Sequence, residues 1–148
     1  MANLTFAAQV SDWVRKVKGA EEAVFKESVQ ELANRVQTTR NAGGRMRVDT
    51  GFLRASLMAS TSAMPLIDPK KGPVEGQTYA FDAEVIEAVI AGSELGDTIY
   101  LGYTAAYAAH REYGARGQAP DAFVRTAAQQ WPQIVDEKAA ELKSRLGL

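Results

Sequence analysis

The apolar spacing of the first quarter of the chain constrains the fold more than any other feature. Phe6, Val10, Trp13, Val14 and Val17 recur at helical intervals, and after Gly19 the pattern resumes at Val24, Ser28, Leu32 and Val36. This predicts a long helical region over 4–39, either two helices or one helix bent at Lys18-Gly19. The segment "NAGGR" at 41–45 ends it, because adjacent glycines weaken a helix and readily supply positive φ. A loop over 40–52 follows.

From Leu53 the period changes to two, with Leu53, Ala55, Leu57 and Ala59 on one face, which predicts a strand over 53–63. The stretch 64–81 carries Pro65, Pro69 and Pro73 with Gly72 and Gly76, and reads as a long exposed loop. Val85, Ile86, Val89 and Ile90 then predict a helix over 82–91, with Asp82 as its N-cap and Gly92 as its C-terminal signal. "DTIYLGY" predicts a strand over 97–103. A helix over 121–146 follows, capped by Asp121 and kinked at Pro132, with an apolar stripe of Val124, Ala127, Trp131, Val135, Leu142 and Leu146.

The expected fold is therefore a single α+β domain. A small mixed or antiparallel sheet packs against long N-terminal and C-terminal helices, with extended loops between them. Val24, Leu32, Trp131 and Val135 are the expected core. At 148 residues the chain is long enough for such a core without metal or disulfide support.

The segment "RMRVDTGFLRASL" (45–57) contains Asp49-Thr50-Gly51, the triplet with which pepsin-like proteases present a catalytic carboxylate. Two such loops must face each other and share a proton, and the arginines at 45, 47 and 54 oppose that sharing. A mechanical role is the simpler reading. Asp49 and Thr50 bond their own backbone in a turn, and Gly51 supplies a dihedral that other residues avoid. His110 is the only histidine and cysteine is absent, so a catalytic triad or a metal site has little to draw on, and no cofactor is expected. No segment is apolar enough for a membrane span, and the N-terminus lacks the basic start of a signal peptide.

Charge is nearly balanced, 17 basic against 18 acidic residues, which argues against a dedicated nucleic-acid binder. Its distribution is uneven. Arg35, Arg40, Arg45, Arg47 and Arg54 fall in a stretch whose only acid is Asp49. Arg40, Arg45, Arg47 and Arg54 are accordingly candidates for contact with an acidic partner, and a solvated basic loop is the alternative. Either way the loop is expected to be mobile in the isolated subunit, with charge reversal at Arg45 and Arg47 leaving the melting temperature nearly unchanged.

Three motifs occur in order: "RVDTGFLRASL" (47–57), then "YAAHREYG" (107–114), then Pro120 with Phe123 ahead of the last helix. Together they resemble the neck and minor-tail proteins of long-tailed bacteriophages, the tail completion or head-tail joining components. The resemblance covers about residues 20–140 and departs from the family pattern at Gly43–Arg47 and in the extended loop. It implies a non-enzymatic virion-assembly protein, made in the bacterial host cytoplasm and located in the virion neck or tail. Its implied partners are head-closure and tail-tube proteins, and it is expected to form a ring in the particle from a subunit that is monomeric when free. The implied structural residues are Asp49, Thr50, Gly51, Tyr107, Glu112, Tyr113 and Gly114. A tail terminator, another minor tail protein, a nucleic-acid-associated protein using Arg35–Arg54, and an enzyme using Asp49 remain as alternatives.

Overall fold

The computed structural model describes residues 5–147. Helix α1 runs unbroken from Phe6 to Gln37, so Gly19 is carried inside one continuous helix, and Thr5 caps it by accepting from the Ala8 amide. The expected start at residue 4 lies outside the described residues. A single 3-10 turn, Arg40–Ala42, leads into Gly43 (φ +90), where the chain reverses. Helix α2, Phe52–Ala55, is followed by strand β1, Leu57–Ser60, helix α3, Ala83–Gly92, and strand β2, Tyr100–Tyr103. Three further helices complete the chain: α4, Ala108–Tyr113, α5, Phe123–Ala128, and α6, Trp131–Leu146.

The fold is α+β. Strands β1 and β2 pair antiparallel in the register Leu57 with Tyr103 and Ser60 with Tyr100. A two-stranded ribbon is marginal by itself. Here it is buried against helices: Val29, Ala33 and Val36 of α1, Ile86 and Ile90 of α3, and Phe123 and Ala127 of α5 close one apolar cluster with Leu57 and Tyr103.

Several expected boundaries are corrected. Leu53, Ala55 and Leu57 satisfy both a period of two and a helical turn, and the structure uses the helical option for 52–55, so the strand begins at 57 instead of 53 and ends at 60. The turn wins because Gly51 starts it at φ +85 and the Thr50 hydroxyl accepts from the Phe52 amide. The second strand is likewise shorter than 97–103. Asp82 caps α3 as expected, accepting from the Glu84 amide at 3.0 Å, while Gly92 is its last helical residue and Ser93 the cap.

The predicted helix over 121–146 is two helices. The chain breaks at Gln129-Gln130 and restarts with Pro132 in the first turn of α6, where its missing N–H removes no helical hydrogen bond. It therefore starts a helix instead of kinking one. The break shifts the phase of the apolar stripe, so that Ile134 and Leu142 are buried while Trp131 and Val135 are half-buried and Val124 is exposed. On α1 the buried face is likewise turned, to Val29, Ala33 and Val36, leaving Val24 and Leu32 half-buried. Helices α1 and α6 are pinned along their length: Arg35 donates to Gln130 Oε1 at 2.7 Å and reaches Glu137, and Arg145 donates to both Glu27 oxygens at 2.8 and 2.9 Å.

The loop 64–81 is exposed over most of its length yet fixed at several points. The Asp68 amide donates to Thr104 O, the Ala106 amide to Lys71 O and the Tyr79 amide to Thr50 O. The Tyr79 ring meets Phe52 edge-on at 5.0 Å.

Candidate functional site

The three sequence motifs come together around one corner of the fold. Gly44 allows the closest approach in it: a Cβ there would lie 1.9 Å from Thr38 O, so only glycine lets the chain double back against the end of α1. The return is locked by Arg40 N–H donating to Met46 O and Gly44 N–H to Thr39 O. Met46, flanked by two arginines in sequence, is completely buried. This turn directs Arg45 and Arg47 back toward the body.

The arginines converge on Asp121, whose side chain is fully buried. Arg40 donates to Asp121 Oδ1 at 3.2 Å, Arg45 Nε donates to the Asp121 backbone oxygen at 2.7 Å, and Arg47 Nε lies 2.6 Å from Oδ1. That last approach is off the N–H direction, so it is held by charge, and Asp121 Oδ2 has no partner among the described residues. Arg47 also donates to Ala119 O at 3.4 Å. Arg54 turns elsewhere: its Nε donates to Gln37 O at 3.0 Å, Gln37 Nε2 donates back to Arg54 O at 2.8 Å, and its guanidinium sits 5.3 Å from the Phe81 ring centre.

These contacts correct the picture of a free, mobile basic loop. The arginines are clamps, and Asp121, expected to cap the last helix, is their shared counter-charge; residue Ala122 occupies the cap position in a left-handed conformation instead. The physical reason is that an arginine cluster with one local acid must find its counter-charge across the fold or stay in water. Arg40 and Arg45 keep exposed surface, Arg47 and Arg54 less.

Glu112 performs the cap that Asp121 does not. Its buried carboxylate accepts from the Val124 and Arg125 amides at 2.9 and 3.0 Å, which satisfies the free N–H groups at the start of α5. Tyr113 is exposed, with the Arg125 guanidinium 5.7 Å from its ring. Gly114 ends α4 with a positive φ of 83 and an extended ψ of 152, so it is not a left-handed helical cap. A Cβ there would lie 2.8 Å from Gln118 O and crowd Pro120. Tyr107 packs against Phe52, and burial pushes its hydroxyl pKa above the usual range, offset in part by its hydrogen bond to the Leu53 backbone.

Asp49 is exposed and lines an open recess of about 350 Å³ with Arg40, Arg47 and Arg111. Guanidinium groups around such a recess suit an anionic side chain better than they suit acid-base chemistry. His110 is exposed on α4. Among the described residues no three His, Cys, Asp or Glu side chains gather as metal ligands, and no helix is long and apolar enough to cross a membrane.

Gln37 and Tyr103 are structural polar groups that the sequence did not single out, and Asp121 was expected only as a helix cap. The Tyr103 hydroxyl donates to Gln37 Oε1 inside the core, and burial pushes its pKa far up. The local surplus of arginine was the signal that a distant acid such as Asp121 is needed as counter-charge; nothing marked Gln37, which sits on the polar side of the expected α1 stripe. No protein-family model, curated protein or solved structure matches the chain.

Proposed function

We propose that the protein is a structural assembly component of a tailed phage or prophage, acting at the head-tail neck as a tail completion or head-tail joining subunit. The observation that carries this reading is the convergence of its three motifs. Asp49-Thr50-Gly51 turns the chain into α2 and receives the extended loop through Thr50 O, Tyr107 packs on Phe52, and Glu112 caps the helix that begins at Phe123. Motifs that serve to hold one corner together, with no reacting group among them, suit a protein whose work is to present a fixed surface. In the assembled particle the subunit forms a ring that contacts head-closure and tail-tube proteins, and the half-exposed Arg40 is the arginine best placed to meet an acidic partner residue.

A tail terminator or other minor tail role uses the same surface at a different position. Arg45, Arg47 and Arg54 each direct a donor to an internal carbonyl oxygen, which favours a clamping role over the alternative of nucleic-acid contact. Electron microscopy of particles assembled without this protein tests the proposal. Separate heads and tails are expected, with joining restored by complementation. Normal joined, infectious particles in its absence would overturn it.

A further inference from the structure

The N-terminal half of α1 carries an apolar ridge that the body leaves uncovered. Residues 6–16 are exposed apart from Ala8, and Phe6, Val10, Trp13 and Val14 are 82, 44, 61 and 38% exposed. Their arrangement is regular. Phe6, Val10, Trp13, Val17, Ala20 and Val24 are spaced alternately by four and three residues, the repeat with which one helix packs along another. An isolated aromatic on a surface needs no explanation, but a sustained seam with two aromatic residues does.

The seam runs directly into a groove. Val17, Ala20 and Val24 of α1 face Val135, Ala139 and Leu142 of α6 across an apolar opening of about 460 Å³, with Glu21 and Lys143 also lining it. Ser28, which also lines it, has a fully buried hydroxyl with no hydrogen-bond partner among the described residues. One half of α1 is thus a ridge, and the other half, with α6, is a trough of the same chemistry.

We infer that this face pairs two copies of the chain, the ridge of each lying antiparallel in the groove of the other. The spacing is self-complementary in that direction. Phe6 of one copy falls on Val24 of the second, Val10 on Ala20, and Trp13 on Val17, each contact occurring twice about a two-fold axis. Counting only their exposed share, the four aromatic rings of a pair bring roughly 400–700 Å² of surface to the contact. The exposed parts of Val10 and Val14 and the walls of the two grooves add to this and bring the contact toward the roughly 1,000 Å² a stable interface needs. A parallel pair would set Lys16 against Glu21 of the second copy, but would stack the two α6 helices at one end and leave both grooves unfilled. An exposed ion pair contributes little beside the burial of aromatic rings, so the groove decides the direction. The free protein is then a closed dimer, in place of the monomer that the phage resemblance implies.

Sedimentation of the full chain over a dilution series from micromolar to nanomolar tests this. The wild type is expected to dimerise, with Trp13 emission shifting to the blue on association. Trp13→Glu should weaken the dimer at least about 30-fold, the effect of losing a hot-spot aromatic. Val10→Glu, also outside the body, checks that result should the first variant misfold. Direction is read by mixing Val10→Cys with Ala20→Cys chains under glutathione disulfide, the chain having no other cysteine. Cross-linked mixed pairs are expected. A wild type that stays monomeric at the highest concentration, glutamate variants that still dimerise, or Val10→Cys chains that link preferentially to each other would overturn the inference.

Discussion

Arg47 Nε lies 2.6 Å from Oδ1 of Asp121, a carboxylate with no solvent-exposed surface. Removing one member of a buried charge pair leaves the other unpaired, which costs more than the pair contributes. Asp121→Ala is therefore expected to lower unfolding free energy by about 3 kcal/mol, and Arg47→Ala by about 2 kcal/mol. Arg40→Ala, at a half-exposed position, should cost less than about 1 kcal/mol. Urea unfolding of the three variants checks the ranking, and equal, small losses would return the arginines to the status of solvated charges. Charge reversal at Arg47 should depress the melting temperature.

Gly51 and Gly43 separate two costs of a left-handed glycine. Both have positive φ, but a Cβ at Gly43 meets nothing within 4 Å, whereas at Gly51 it would sit 2.3 Å from Tyr79 O. Gly43→Ala should cost about 1 kcal/mol from backbone strain alone. Gly51→Ala should cost about 3 kcal/mol or more, because the carbonyl of the extended loop must move. Hydrogen exchange supplies a second measurement: amide protection at Tyr79 is expected to fall in the Gly51 variant and to hold in the other.

Glu112 offers two acceptors to two amides, and its variants should scale with the number retained. Glu112→Ala is expected to cost about 2 kcal/mol and Glu112→Gln about 1 kcal/mol, since the amide side chain keeps one oxygen. Circular dichroism melts of the pair distinguish capping from a general need for charge, which would make the two variants equal.

Tyr103 predicts a pH dependence. Its folded pKa is raised by burial, so above the ordinary tyrosine value of about 10 the unfolded chain loses this proton while the folded chain keeps it. The contribution is fully present below about pH 10 and declines as pH rises beyond it. Tyr103→Phe should remove this part of the alkaline decline. The same variant leaves Gln37 Oε1 without its donor in the core, which should cost about 1–2 kcal/mol at neutral pH. Spectrophotometric titration should show one tyrosine ionising only on unfolding.

Features that depend on neighbours along the chain were legible in the residues alone. Helical spacing gave α1 and α3, Asp82 gave a cap, paired glycines gave the end of the first helix, and Asp49-Thr50-Gly51 gave a turn. Each rests on dihedral preferences and hydrogen bonds within a few residues. Boundaries that depend on phase were less legible: residues 53–57 fit two periods, and the restart at Trp131 moved burial from Val135 to Ile134. Where the charges go is set by the packed fold. Arg45 and Arg47 look identical in sequence to solvated loop residues, because the acid that draws them inward lies far along the chain and reaches them only when α5 docks against α1. The partners of Gln37 and Glu112 are fixed in the same way. Burial makes an unpaired polar group costly, and which groups are buried is a property of the packed fold.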